Sequence, residues 1–272
     1  GRRAAPATPA EAQERLARAL SWPASPGALP IRPRYLAPQP AAAEAGLPGY
    51  TAQRFFFFTE PSVAVAGTML RPAVEGAEAR TWLMLLPNGT ASDEADLQET
   101  LDLVHAGHRV CLFDPRGRGA VRSLPTHGSR GYDDWLGFEA YTNYVEMLLG
   151  GSTLASRVFD VARALEFLAR HEATPGGLAL RGHSSAALWG YFAAALDKRV
   201  RQTHLSQMLP SWTEVVETRL YDPAAITAAA VIPGVLQHFD LPDLRQCFDG
   251  RELRLDHPLR VAVSAEQLPL RP

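Results

Sequence analysis

Apolar positions along this chain change period repeatedly, and each change marks an element. Glu11 to Leu20 carries Leu16 and Leu20 on one face at helical spacing. Trp22 to Gly49 has no periodicity and is rich in Pro and Ala, which predicts an irregular path over a surface. Thr51 to Thr59 reads as a strand with four consecutive phenylalanines, Phe55 to Phe58. Rings at alternate strand positions face opposite sides, so a buried strand explains them better than an aromatic platform. Val63 to Leu70 alternates in part and suits a hairpin partner. Trp82 to Leu86 and Arg109 to Phe113 are continuous apolar runs, the pattern of strands covered on both faces.

Between these strands the period lengthens. Ser92 is the candidate N-cap of a helix with Asp93 and Glu94 in its first turn, a buried face of Leu97, Leu101 and Val104, and Gly107 at its end. Helices are expected over Phe138 to Leu149 and from Thr153 to about Arg170. In the second, Leu154, Val158, Val161, Leu165 and Leu168 form one stripe. A strand at Leu178 to Leu180, a helix from Ala186, and strands at Arg199 to Leu205 and Leu253 to Leu255 follow. Strand–helix alternation predicts an α/β domain: a mostly parallel sheet with helices on both faces. Ligands bind beyond the carboxyl ends of such strands. Asn88-Gly89, Asp114 to Gly119 and Ser184 therefore converge on one rim. The expected division is a linker and helical, Pro-rich lead-in over 1–49 and the α/β domain over 50–272.

Composition narrows the function. The 272 residues carry a net charge of −2, which gives no electrostatic case for nucleic acid or an anionic membrane. Asp114 and Asp133-Asp134 offset Arg116 and Arg118. The two cysteines, Cys111 and Cys247, suit packed thiols, and no Cys/His spacing points to a metal. No metal or cofactor is expected. The longest apolar stretch, 223–236, is too short to span a bilayer and is bracketed by Pro223 and Pro233. The chain starts at Gly1 without a charged-then-apolar leader, which fits a processed protein or a domain cut from a longer chain. Localisation stays open.

The chemistry sits in Gly182-His183-Ser184-Ser185-Ala186, a G-x-S-x-A turn between the strand and the helix. A serine on such a turn is lifted clear of the sheet, beside the N–H groups that open the helix. Acyl transfer needs that pairing of nucleophile and oxyanion donors. The structural alternative is that Ser184 or Ser185 only caps the helix.

Taken in order, the hairpin leading to Asn88-Gly89, D-P-R-G-R-G at 114–119, A-S-R-V-F-D-V-A-R-A-L-E-F-L at 155–168 and G-H-S-S-A resemble an α/β-hydrolase. More narrowly they resemble the acetyl xylan esterase and dienelactone-hydrolase-like branch, over roughly residues 45–260. The resemblance implies a three-layer fold and a Ser-His-acid carboxylic-ester hydrolase with Ser184 as nucleophile. The Ser185 N–H and the Asn88-Gly89 loop would be oxyanion donors, and Asp114 and Arg116 would shape the site. A small ester or acetylated carbohydrate would be the substrate, met in a secreted or periplasmic setting if the ester is on a polysaccharide. His183, inside the turn, suits packing better than base catalysis.

The pattern departs from the family near its end. The acid expected shortly after Pro258 is replaced by Arg260, and no His follows a further strand. Asp256 and His257 are the nearest substitutes, but adjacent strand residues face opposite ways. Asp240, Asp243, His204 and His238 are more distant candidates. Two readings follow: an esterase with a recruited base, or a non-catalytic accessory domain with a degraded triad, partnered by another domain of a longer chain. A peptidase of the same fold is a weaker third.

Overall fold

The computed structural model describes residues 4–23, 29–41, 49–123, 137–221, 226–227 and 230–262. The pair Asp133-Asp134 and the stretch beyond residue 262 lie outside these. Among the described residues, nine strands form one sheet in the order β1-β3-β4-β6-β5-β7-β8-β9, with β2 (Gln39–Ala41) also pairing with β3. The strands β1 (Arg34–Tyr35), β3 (Tyr50–Glu60) and β4 (Val63–Pro72) are antiparallel. From β6 (Arg109–Asp114) through β5 (Thr81–Leu85), β7 (Leu178–His183) and β8 (Val200–Ser206) to β9 (Glu252–Asp256), every neighbour is parallel.

Helices cover both faces, as the alternation predicted, and α3 (Gly137–Leu148) precedes α4 (Thr153–His171) in the chain. Leu83, Leu85, Leu178 and Leu180 face α4 and α5 (Ser185–Leu196) in the larger core. Trp82, Met84, Val110 and Ala179 face α2 (Glu94–His105) in the smaller one. This two-sided burial is why β5 is apolar at all five positions. Along β3, Phe55 and Phe57 are buried while Phe56 and Phe58 are exposed, so alternation splits the four rings.

Two expectations change. The α2 N-cap is Asp93, which accepts from the Asp96 N–H at 3.0 Å, because Ser92 ends the preceding 3-10 turn. The stretch after Trp22 is not wholly irregular: β1 and β2 add to the sheet along β3. The lead-in helix α1 (Pro9–Ala19) is also tied to the main core. Ala12 and Leu16 are fully buried there, and the Gln13 side chain donates to the Ala195 carbonyl at 2.7 Å. Both cysteines are buried free thiols, and burial pushes each thiol pKa up. Among the described residues no helix is long and apolar enough to cross a membrane.

Candidate active site

Three adjacent strands end alike at the carboxyl rim. His183, Ser206 and Asp256 lie side by side in register across β7, β8 and β9. The residue after each, Ser184, Gln207 and His257, has a φ of 52°, 51° and 48°. Non-glycine residues rarely hold positive φ, and such outliers cluster at functional sites.

Ser184 is held at φ 52°, ψ −126°. Its N–H donates to the Ser206 carbonyl at 2.9 Å, and its carbonyl accepts the Ala187 N–H at 3.1 Å. The turn closes because residue 182 has no side chain: a Cβ there would lie 2.9 Å from the Ala187 Cα and 3.1 Å from a Leu205 methyl. The Ser184 side chain makes no capping bond to α5. It lines a small cleft with Ser185, Gln207 and the apolar side chains of Leu188, Leu209, Ile226 and Leu259. Room inside the cleft is about 10 Å³, on the order of one water.

Two candidate donor groups stand at the ends of neighbouring elements. Ser185 opens α5, and a first-turn N–H has no acceptor within its own helix. The loop after β5, the strand next to β7, carries Asn88 and Gly89. Its N–H groups are partly spent: Gly89 donates to the Leu86 carbonyl at 3.0 Å, and Thr90 donates to Asp114 at 2.6 Å.

Asp114 and Arg116 are consumed in bracing the rim. Asp114 is fully buried and also accepts from the Thr90 hydroxyl at 2.5 Å and the Ala120 N–H at 2.9 Å. Burial raises its pKa, against the pull of those bonds. Gly89 and Gly119, both at positive φ, approach so closely that a Cβ on either would strike this carboxylate. Arg116 donates through its N–H and guanidinium to the buried Asp160 at 2.8–2.9 Å, and it also pairs with Glu60. Beside them, Arg118 and Arg157 share Glu139 over the Trp189 ring. Burial alone would raise the Glu139 pKa, but the two guanidiniums hold it below the usual carboxylate range.

The histidines and acids are less convergent. His183 turns its Nδ1 to the Ser206 hydroxyl at 2.9 Å, toward the α2 face and away from the cleft. His204 bonds Glu252 at 2.9 Å in mid-β8. His238 lies beside Arg18 and Pro233. Asp240 accepts from Ser211, Trp212 and Leu241. It starts the 3-10 segment Leu241–Phe248, where Asp243 completes a capping box. Asp256 binds Arg254 at 2.7 Å, not its neighbour His257, which is exposed. Both lie at the end of β9, two strands from Ser184, and the Gln207 N–H ties their carbonyls to the β8 loop at 3.1 Å each. Among the described residues, no imidazole is hydrogen bonded to the Ser184 hydroxyl, and no group of three His, Cys, Asp or Glu side chains could hold a metal. His127 lies outside the described residues. Gln207 was not among the sequence candidates; its only signal was a place just beyond a strand end.

No family model and no curated protein matches this sequence. Solved structures do. A Bacteroides fragilis protein provisionally described as an acetyl xylan esterase is 14% identical over 92% of this chain and 67% of its own, with a TM-score of 0.72. The acetyl xylan esterase of Paenibacillus sp. R4 is 13% identical over 97% of this chain and 91% of its own, at 0.59. Acetyl xylan esterase 1 of Thermoanaerobacterium sp. JW/SL YS485 is 15% identical over 99% and 92%, at 0.53. At such identity the likeness carries the fold: the chain has the three-layer α/β-hydrolase architecture that its motifs led one to expect.

Proposed function

We propose that this chain is a serine carboxylic-ester hydrolase acting through an acyl-Ser184 intermediate on a small ester, an acetyl group on a carbohydrate being the preferred case. One observation carries the reading. Ser184 is kept in a strained backbone conformation at the mouth of α5, in a cleft, with its side chain free of any capping bond. A serine that merely capped the helix would need no such strain. The small, apolar cleft favours a short acyl group. The carbohydrate alcohol is taken from the acetyl xylan esterases of the same fold.

In this mechanism the Ser184 oxygen attacks the acyl carbonyl and its proton passes to a base. The oxyanion is met by the Ser185 N–H and by the Asn88-Gly89 loop. Collapse expels the alcohol, which takes the proton, and water then hydrolyses the acyl-serine. His257 would have to swing in from its exposed place after β9 to act as base, and Asp256, paired with Arg254, would not orient it there; Asp114 and Arg116 shape the rim.

A second reading, a non-catalytic accessory domain, is favoured by the lack of an imidazole bonded to Ser184 among the described residues. A fluorophosphonate probe separates the two. The hydrolase reading expects labelling of Ser184 and turnover of p-nitrophenyl acetate, both abolished in Ser184→Ala. An unlabelled parent protein, no more active than that variant, establishes the accessory reading.

A further inference from the structure

We infer that Gln207 is a specificity-determining residue that hydrogen-bonds the alcohol half of the ester, selecting alcohols that carry further hydroxyl groups. The inference rests on the hydrolase reading of Ser184 and adds the recognition of the leaving group.

Gln207 holds φ 51°, a conformation that costs a glutamine free energy and that glycine would hold without penalty. The position is nevertheless a glutamine and lines the Ser184 cleft. Its backbone is fixed on two sides: its N–H donates to both the Asp256 and His257 carbonyls, and the preceding carbonyl of Ser206 receives the Ser184 N–H. The side chain thus starts from a rigid base one strand from the nucleophile. Its amide is exposed and accepts or donates no bond among the described residues. Apart from Ser184 and Ser185, the rest of the cleft lining is hydrocarbon.

Sheet order then assigns the two halves of the ester. The Asn88-Gly89 loop follows β5, on one side of β7, while Gln207 follows β8, on the other. A carbonyl oxygen drawn toward the β5 side and the Ser185 N–H leaves the β8 side for the alcohol. The acyl methyl fits the apolar lining. A carboxamide both donates and accepts, which suits a hydroxyl beside the ester and offers nothing to a plain alkyl chain.

The test compares glycerol monoacetate with ethyl acetate, which share an acyl group. Gln207→Leu is expected to lower kcat/KM for glycerol monoacetate about fivefold to tenfold, as for one neutral hydrogen bond, and to leave ethyl acetate within about twofold. Gln207→Gly keeps the test open if the leucine variant folds poorly. It should melt no lower than the parent, because the positive φ is relieved, and still lose the preference. Binding of glycerol monoacetate to Ser184→Ala, followed by saturation-transfer NMR with and without Gln207→Gly, reads the contact without turnover. Equal losses on both esters, or an unchanged preference, overturn the role of Gln207. An inactive parent whose Ser184→Ala form still binds through Gln207 overturns the hydrolase reading alone. No binding and no turnover overturn both.

Discussion

Gly182→Ala tests whether the tightness of the turn is what presents Ser184. The added Cβ would sit 2.9 Å from the Ala187 Cα, 3.1 Å from Leu205 Cδ2 and 3.3 Å from the Ala186 carbonyl oxygen. The leucine methyl can yield; the two backbone atoms can move only if the first turn of α5 shifts. Gly182 itself has no positive φ, so the substitution adds a steric load without a conformational one. Overpacking of this kind costs about 1–3 kcal/mol, roughly 2–10 °C in melting temperature for a chain of this size. A displacement of several tenths of an ångström at Ser184, the proposed nucleophile, should slow acylation about tenfold, since a 1 Å error can cost ~10². The assay is the rate of phosphonate labelling of Ser184, read beside a thermal melt. Gly190→Ala, farther along α5, is the control: the nearest atoms to its Cβ would be Leu180 and Leu85 methyls. It should lower the melting temperature comparably and label near the parent rate. The reasoning fails if Gly182→Ala labels like the parent, or if Gly190→Ala slows labelling as much.

Two further outcomes concern stability. Burial alone would raise the Asp240 pKa, but bonds from Ser211, Thr213, Trp212 and Leu241 hold it low. A carboxyl depressed in the folded state stabilises above its unfolded pKa, and that contribution fades as pH falls through the folded value. Asp240→Asn should therefore lose more stability against urea at pH 7 than at pH 3, and a loss equal at both would refute the linkage. Leu16→Ala removes a fully buried side chain from the lead-in and should cost about 2–5 kcal/mol in one cooperative unfolding transition. A separate early transition with an unchanged main one would make residues 1–49 an independent unit.

Much of the architecture was legible in short-range pattern. The five buried positions of β5 and the stripe on α4 announce two covered faces, and strand ends next to glycine turns mark the rim. The Ser184 turn was legible for the same reason: glycine, serine and small helix formers must be neighbours in sequence to make it. The identity of the base was not legible, because Asp256 and His257 can be judged only by what each faces after folding. Asp256 turned to Arg254, and His257 to solvent.

The sequence by itself determined the alternation of strands and helices from β3 onward, the parallel sheet and the nucleophile candidate, since periodicity and turn chemistry act between residues a few positions apart. Tertiary structure alone decided that Asp114 is consumed between Gly89 and Gly119, that His183 turns to Ser206, and that Gln207 stands beside Ser184. Those contacts depend on register between strands far apart in the chain. Local pattern carries no record of register, because one strand can satisfy its own alternation against several partners.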